Sequence, residues 1–198
     1  MKCCITVLIV LASVSISARA ADGPCIIPGR GHFQIQTGTS GLFGVFAHDH
    51  VIEAQRIEGC ALLDEKEISR SSIKVTFATS GVRVLDPKES ANDRAKVQET
   101  METEVLRISE YPTVVFESTS VDRDSADAIR VHGNLTIRGK TQPVIIPVAF
   151  TRLADGTYRA AGSYKFKQTT FGIRPIQLAG GTVKVKDELR TEFELFLK

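Results

Sequence analysis

Apolar and polar residues alternate along most of this chain, the mark of strands with one buried face. In Ser72–Phe77, Ile73, Val75 and Phe77 oppose Ser72, Lys74 and Thr76. In Ala128–Arg138, Ile129, Val131, Gly133, Leu135 and Ile137 oppose Arg130, His132, Asn134, Thr136 and Arg138. Thr157–Lys167 and Leu189–Leu197 alternate in the same way, and further strands are expected at His32–Gln36, Leu42–Ala47, Val51–Leu63, Thr113–Val121, Gln142–Phe150 and Thr182–Lys186. Asp155-Gly156, Gly139-Lys140 and Gly180-Gly181 punctuate them as turns. One stretch departs from the pattern. Ser90–Leu106 reads as a helix, with Ser90 and Asp93 at capping-box spacing, an apolar stripe at Val97, Met101 and Val105, and Tyr111-Pro112 ending the element.

The first residues follow a different rule. Lys2 precedes an apolar run from Ile5 to Val14, and Ala18-Arg19-Ala20 has the A-x-A form of a signal-peptidase site. This predicts an export signal over residues 1–20 and one domain over 21–198. The full chain carries 25 basic and 23 acidic residues, a net charge of +2. Residues 1–20 hold Lys2 and Arg19 and no acid, so the remainder is formally neutral. Such a charge balance excludes a nucleic-acid-binding surface of the usual strongly basic kind. Cys3 and Cys4 fall within the export signal, leaving Cys25 and Cys60. In an oxidising compartment these two either pair as a disulfide or stay as free thiols; their spacing does not decide between the two.

Strands with one apolar face bury it in a sandwich or in a barrel closed on itself. An eight-stranded barrel is just wide enough to hold one small ligand. Small residues on the predicted inner face, Gly133, Ala160 and Gly162, either permit tight curvature or leave space inside. Alternation alone leaves a filled core and a hollow one both open.

The second half carries more specific signals. Gly133-Asn134-Leu135-Thr136-Ile137-Arg138-Gly139-Lys140-Thr141-Gln142-Pro143-Val144 resembles the G-x-L-T-I-R-G-x-T-x-P-V signature of the YceI family. Tyr111-Pro112 followed by Phe116-Glu117-Ser118 is similar to that family's Y-P-x-x-x-F-x-S segment, and Phe171-Gly172-Ile173 to its late F-G-I turn. The resemblance spans roughly Gly31 to Leu197. It implies an all-β fold: an antiparallel, lipocalin-like β-barrel of about eight or more strands with one inserted α-helix. It also implies export to the periplasm or beyond, and an elongated apolar tunnel for a polyisoprenoid or quinone-like ligand. The expected partner is this small apolar molecule, with transient membrane contact and a homodimer as further expectations. On the alternation faces, the tunnel walls are assigned to Phe33, Ile35, Phe46, Ile73, Val75, Phe77, Leu135, Ile137, Val148, Phe150, Tyr164, Phe166 and Phe193.

Phe46-Ala47-His48-Asp49-His50-Val51 departs from the simplest family form, which has a single His before a turn. In an extended chain His48 and His50 share a face. Three readings stand: the imidazoles bind a polar ligand head at the tunnel mouth, they ligate a metal such as Zn²⁺ or Cu²⁺, or they are structural. A closed metal site needs more ligands, for which Glu53, His32 and Glu58 are distant candidates. His32 and His132 read as solvated bystanders. Lys165, Lys167 and Arg174 form either a cationic rim or an ordinary polar face. No nucleophile elbow, Ser–Lys motif or phosphate-binding loop is present, and a Ser40–His48–Asp49 triad fails because adjacent strand residues point apart. The sequence therefore predicts a non-enzymatic exported protein that sequesters or transports an apolar ligand. The alternatives are a metal-binding or metal-dependent periplasmic protein using His48 and His50, and a structural or envelope-stress protein with a filled barrel.

Overall fold

The computed structural model of the protein describes residues 23–40, 50–87, 89–178, 180 and 182–198. The predicted strand Leu42–Ala47, and with it Phe46 and His48, lies outside these residues. The chain forms β1 (Ile26–Gln36), β2 (Thr39–Ser40), β3 (Val51–Ala54), β4 (Ile57–Leu62), β5 (Ser72–Ala78) and β6 (Val82–Val84). The helix α1 (Ala91–Thr100) follows, then β7 (Thr113–Arg123), β8 (Ala128–Ile137), β9 (Lys140–Arg152), β10 (Tyr158–Lys167), β11 (Gln177–Leu178), β12 (Val183–Val185) and β13 (Glu188–Leu197). Ten strands make one curled antiparallel sheet in the order β4-β5-β7-β8-β9-β10-β13-β1-β3-β6, and β11, β12 and β2 make a small second sheet.

The central meander follows from local chemistry. Arg138 and Gly139 both have positive φ, 50° and 70°, as a two-residue type I′ hairpin requires, and they join β8 to β9 in the register Ile137↔Lys140. Glycine takes the second position at no steric cost.

One expected strand, Val51–Leu63, divides in two. β3 pairs with β1 and β6, whereas β4 pairs with β5. The break at Gln55 and Arg56 has a cause in hydrogen bonding. Gln55 donates to the Gly81 carbonyl at 2.9 Å and the Arg56 carbonyl accepts from Ala78 at 3.0 Å, so both groups turn to the β5–β6 corner. Beyond the break β4 returns to β1. Cys25 and Cys60 form an antiparallel bridge, the Ala61 N–H donates to the Pro24 carbonyl at 2.9 Å, and the two sulfurs are bonded. This joins the first strand of the sheet order to the eighth and ties the curl into a barrel at that end. The disulfide left open by the sequence is therefore formed, across the seam.

A second junction is parted. The Phe150 N–H donates towards β8, to the Asp127 carbonyl, so even-numbered residues of β9 point their N–H groups that way. Odd-numbered N–H groups face β10, and Pro143 and Pro147 have none to offer. Accordingly β9 pairs with β10 only over residues 148–152, while Ser163–Lys167 pairs with β13 alone. The turn Gln168–Phe171 packs where the strands part: Gln142 Nε2 donates to the Thr170 carbonyl at 3.3 Å, and Phe171 and Ile173 are 2% and 4% exposed.

The helix begins as expected, with the Ser90 hydroxyl accepting the Asp93 N–H at 3.1 Å. Its apolar stripe is shorter than expected. No residue of Ala91–Thr100 is buried, Val97 included, and the buried contact comes from Met101 in the wider π turn Met101–Val105. Gly133 and Gly162 leave no space either. A side chain at Gly133 would meet the Glu117 carbonyl and the Phe116 ring, both at 2.6 Å, and one at Gly162 the Pro147 carbonyl at 2.5 Å and the Phe193 ring at 2.8 Å, so each glycine admits both a neighbouring strand and an aromatic ring.

The Cys25–Cys60 bridge closes a chain separation of 35 residues, for which loss of unfolded-state freedom is worth about 4 kcal/mol. Replacing both cysteines by serine is expected to lower unfolding stability by about 2–4 kcal/mol, read from the denaturant midpoint.

Candidate ligand-binding cavity

The inner faces of the strands enclose a cavity of about 280 Å³. Twelve of the thirteen assigned tunnel residues lie on its wall: Phe33, Ile35, Ile73, Val75, Phe77, Leu135, Ile137, Val148, Phe150, Tyr164, Phe166 and Phe193. The thirteenth, Phe46, is among the residues not described. Period-two alternation brings them together because every second side chain of a strand turns to the same face.

The wall is built from aromatic groups. Phe33 meets Phe77 edge-on at 4.7 Å between ring centres and stacks on Phe193 at 5.8 Å. Phe150 stacks on Tyr158 at 5.6 Å, and Phe166 lies 6.3 Å from Tyr164 and 5.6 Å from Phe171. Phe33, Phe77, Phe150, Phe166 and Phe193 are only half-buried although they point inward, because their free faces border the cavity. That decides between the filled and the hollow interior in favour of the hollow one. Met101, Val105 and Leu106 contribute to the wall from the end of the helix, and Ile68 from the turn Ile68–Arg70. Leu106 and Ile68 carried no periodic signal that would have placed them there.

Among the described residues, the lining contains no Asp, Glu, Lys, Arg or His. Its aromatic hydroxyls have distinct settings. Tyr158 Oη donates to the Glu65 carboxylate, which also lies 3.4 Å from Arg152 Nη1; the bond to Glu65 raises the Tyr158 phenol above its ordinary value of 10.0. Burial raises the Tyr164 phenol.

The histidine motif is placed only in part. His50 does not line the cavity; its Nδ1 lies 2.5 Å from Asp86 Oδ2, and the other Asp86 oxygen accepts the Val51 N–H at 2.8 Å. Asp86 is 5% exposed, and the Arg94 guanidinium donates to its backbone carbonyl at 3.1 Å. Thr37 and His50 exchange two hydrogen bonds, at 3.0 and 3.1 Å. His50 thus ties the start of β3 to the loop after β6. Sequence reading missed Asp86, which stands 36 residues away with no motif linking the two. No group of three or more His, Cys, Asp or Glu suited to a metal occurs among the described residues, and Glu53, His32 and Glu58 do not gather round His50. His132 pairs with Asp122 at 2.8 Å, and Lys165 lies 3.2 Å from Glu188.

Comparison with known proteins adds to this geometry. The model of the YceI-like domain matches residues 30–197. A UPF0312 protein of Pseudomonas aeruginosa is 32% identical over 142 residues, covering 69% of this chain and 66% of that protein. The protein YceI of Salmonella arizonae is 30% identical over 144 residues, covering 69% and 67%. The match thus spans about two thirds of the length of these curated relatives. Among solved structures, Burkholderia cenocepacia BcnA superposes with a TM-score of 0.69 at 16% identity, covering 86% of this chain and 98% of that one. A polyisoprenoid-binding domain from Saccharophagus degradans superposes with a TM-score of 0.63 at 10% identity, covering 89% and 98%. At such identities the likeness is one of fold, an antiparallel barrel of this type.

Replacing His50 by alanine leaves a nearly buried carboxylate oxygen without its partner. The expected cost is about 1–3 kcal/mol in the denaturant midpoint, with the metal content of the purified protein unchanged. Alkaline pH supplies a second check. The Tyr164 phenol is raised in the folded protein, so the unfolded chain loses this proton first. Its contribution to stability is complete below about pH 10 and is lost as pH rises through the folded value. Tyr164→Phe is expected to flatten the fall in unfolding free energy above about pH 10.

Proposed function

The chain belongs to the YceI-like family, and from that premise we propose that it is an exported carrier that sequesters or transports an apolar, isoprenoid-like lipid inside its barrel. The observation that carries this reading is the hollow interior, walled by aromatic and aliphatic side chains and free of charge among the described residues. Such a wall holds a hydrocarbon chain by excluding water from it, at roughly 25 cal/mol per Å² of apolar surface removed. Among the described residues it offers no carboxylate, imidazole or amine as a general acid or base, which favours storage over turnover. A solved protein of the same fold is described as a polyisoprenoid-binding domain. The seam disulfide and the A-x-A pattern at Ala18–Ala20 support a periplasmic or secreted location, where such bonds persist.

Two measurements test the proposal. Organic extraction of the protein purified from its export compartment, followed by mass spectrometry, is expected to yield a stoichiometric apolar molecule. Folded protein with neither a co-purified lipid nor any affinity for prenyl probes overturns the reading. Ala160 lines the wall, and Ala160→Trp intrudes on the tunnel. Displacing about 60 Å² of ligand contact costs about 1.5 kcal/mol, so prenyl probes are expected to bind about ten-fold more weakly while the fold persists.

A further inference from the structure

The two ends of the cavity are held in unequal ways. At the end of the β8–β9 hairpin the cover is tied to several elements. Arg138 donates to the Glu104 and Val105 carbonyls at 3.4 and 3.2 Å, Thr79 to the Tyr111 carbonyl at 3.0 Å, and Gln168 Nε2 to the Lys186 carbonyl at 2.9 Å. Thr169 adds two bonds to the Asp187 carboxylate, at 2.8 and 2.7 Å.

The opposite end, beside the Cys25–Cys60 bond, is crossed by the segment Asp64–Ser71 between β4 and β5. In the ring of strands that runs from β4 round to β1, the β4–β5 connection stands opposite the β9–β10 connection. Glu65 nevertheless meets Tyr158 at the start of β10 and Arg152 at the end of β9, so the segment spans the mouth. Ile68, 8% exposed among exposed neighbours, reaches down to line the cavity, as Leu63 and Ser71 do at the base.

This segment is closed on itself. The Asp64 N–H donates to the Ser71 hydroxyl oxygen at 2.9 Å and pinches the base, while Asp64 Oδ1 accepts the N–H groups of Lys66 and Glu67 at 3.0 and 2.9 Å. The Arg70 and Ser71 N–H groups donate to the Glu67 and Ile68 carbonyls, both at 2.9 Å. Both stems are fixed. The disulfide holds β4 at Cys60, and the Ile73 N–H of β5 donates to Ser118 Oγ of β7 at 2.8 Å. Among the described residues, the polar bonds from Asp64–Ser71 to the body of the barrel are those of Glu65. A segment tied within itself, and held outside by one apolar plug and one ionic contact, opens as a unit more readily than an element knit into the sheet. The contact is also open to water, with Glu65 and Arg152 51% and 60% exposed, and such pairs are weak.

We propose that Asp64–Ser71 is the lid of the tunnel: Glu65 latches it to Tyr158 and Arg152, Ile68 plugs the mouth, and lipid enters and leaves at this end when the latch parts. This inference rests on the carrier reading and adds the entrance and its gate.

The test is kinetic. Glu65 does not line the cavity, so Glu65→Ala loosens the latch and leaves the tunnel wall as it was. Stopped-flow fluorescence with geranylgeranyl N-methylanthranilate follows entry and exit. A latch closed in both the free and the loaded protein sets the barrier and not the affinity. Glu65→Ala is therefore expected to speed association and dissociation alike, about three- to five-fold, with Kd unchanged. Gln142→Ala removes the bond to the Thr170 carbonyl at the far end and is expected to keep both wild-type rates. Hydrogen exchange at the Arg70 and Ser71 amides is expected to quicken in Glu65→Ala while that of β8 stays as in the wild type and reports an intact barrel. Wild-type rates in Glu65→Ala, a change in Kd without matched changes in both rates, or acceleration by Gln142→Ala instead overturns the lid and leaves the carrier reading standing. Failure of the wild-type protein to bind the probe at all overturns the carrier reading, and the lid with it.

Discussion

The interior depends on the seam between β1 and β4. A curled antiparallel sheet with an apolar inner face is unstable as an open trough, because its edges leave backbone groups unpaired and its inner face in water. Here the first strand of the order is tied to the eighth by the Cys25–Cys60 bond and the hydrogen bond from Ala61 to Pro24. Lys198 and Cys25 also exchange two backbone hydrogen bonds at 2.9 Å, so β13 is drawn into the same corner. With the seam shut, the apolar faces enclose a volume instead of coating a groove.

The second junction shows how the same barrel tolerates a weakness. Pro143 and Pro147 remove two donors on the side of β9 that faces β10, and the strands separate there. The Phe171-Gly172-Ile173 turn packs at this parting, with Gly172 in the left-handed region at φ 71° and both apolar neighbours buried. Two motifs far apart in sequence, the Pro-containing strand and the F-G-I turn, are therefore parts of one device. The prolines part the strands, and the turn packs against β9 and covers the apolar interior with Phe171 and Ile173.

Charge is distributed on the same principle. Charged side chains pair on the outer face, as in Arg159 with Glu194 and Lys74 with Glu117, while the described lining carries none. The one buried carboxylate described in detail, Asp86, is spent on fixing the chain: it holds the His50 ring and the Val51 N–H. An interior arranged in this way disfavours ions, because an ion entering it would lose its hydration and find no charged partner among the described residues.

The short strands β2, β6 and β11 carried no periodic signal, but periodicity and local spacing determined most of the longer strands, the start of the helix with its Ser90 cap, and the inward-facing residues, twelve of which meet around one cavity. These are local consequences of strand parity and of backbone groups seeking nearby partners, and both are written in neighbouring residues. Tertiary structure alone decided the rest. The break between β3 and β4 arises from hydrogen bonds to Ala78 and Gly81, which sequence spacing does not reveal. Pairing of Cys25 with Cys60 required the curl that brings β1 to β4. The partnership of His50 with Asp86 spans 36 residues, and turns a motif that resembled a ligand set into a tether. Gly133 and Gly162 had two readings, and only the neighbouring carbonyls of Glu117 and Pro147 and the rings of Phe116 and Phe193 chose between them. Whether the interior is filled or hollow is a balance of volumes summed over the whole sheet, which no alternation pattern along a single strand contains.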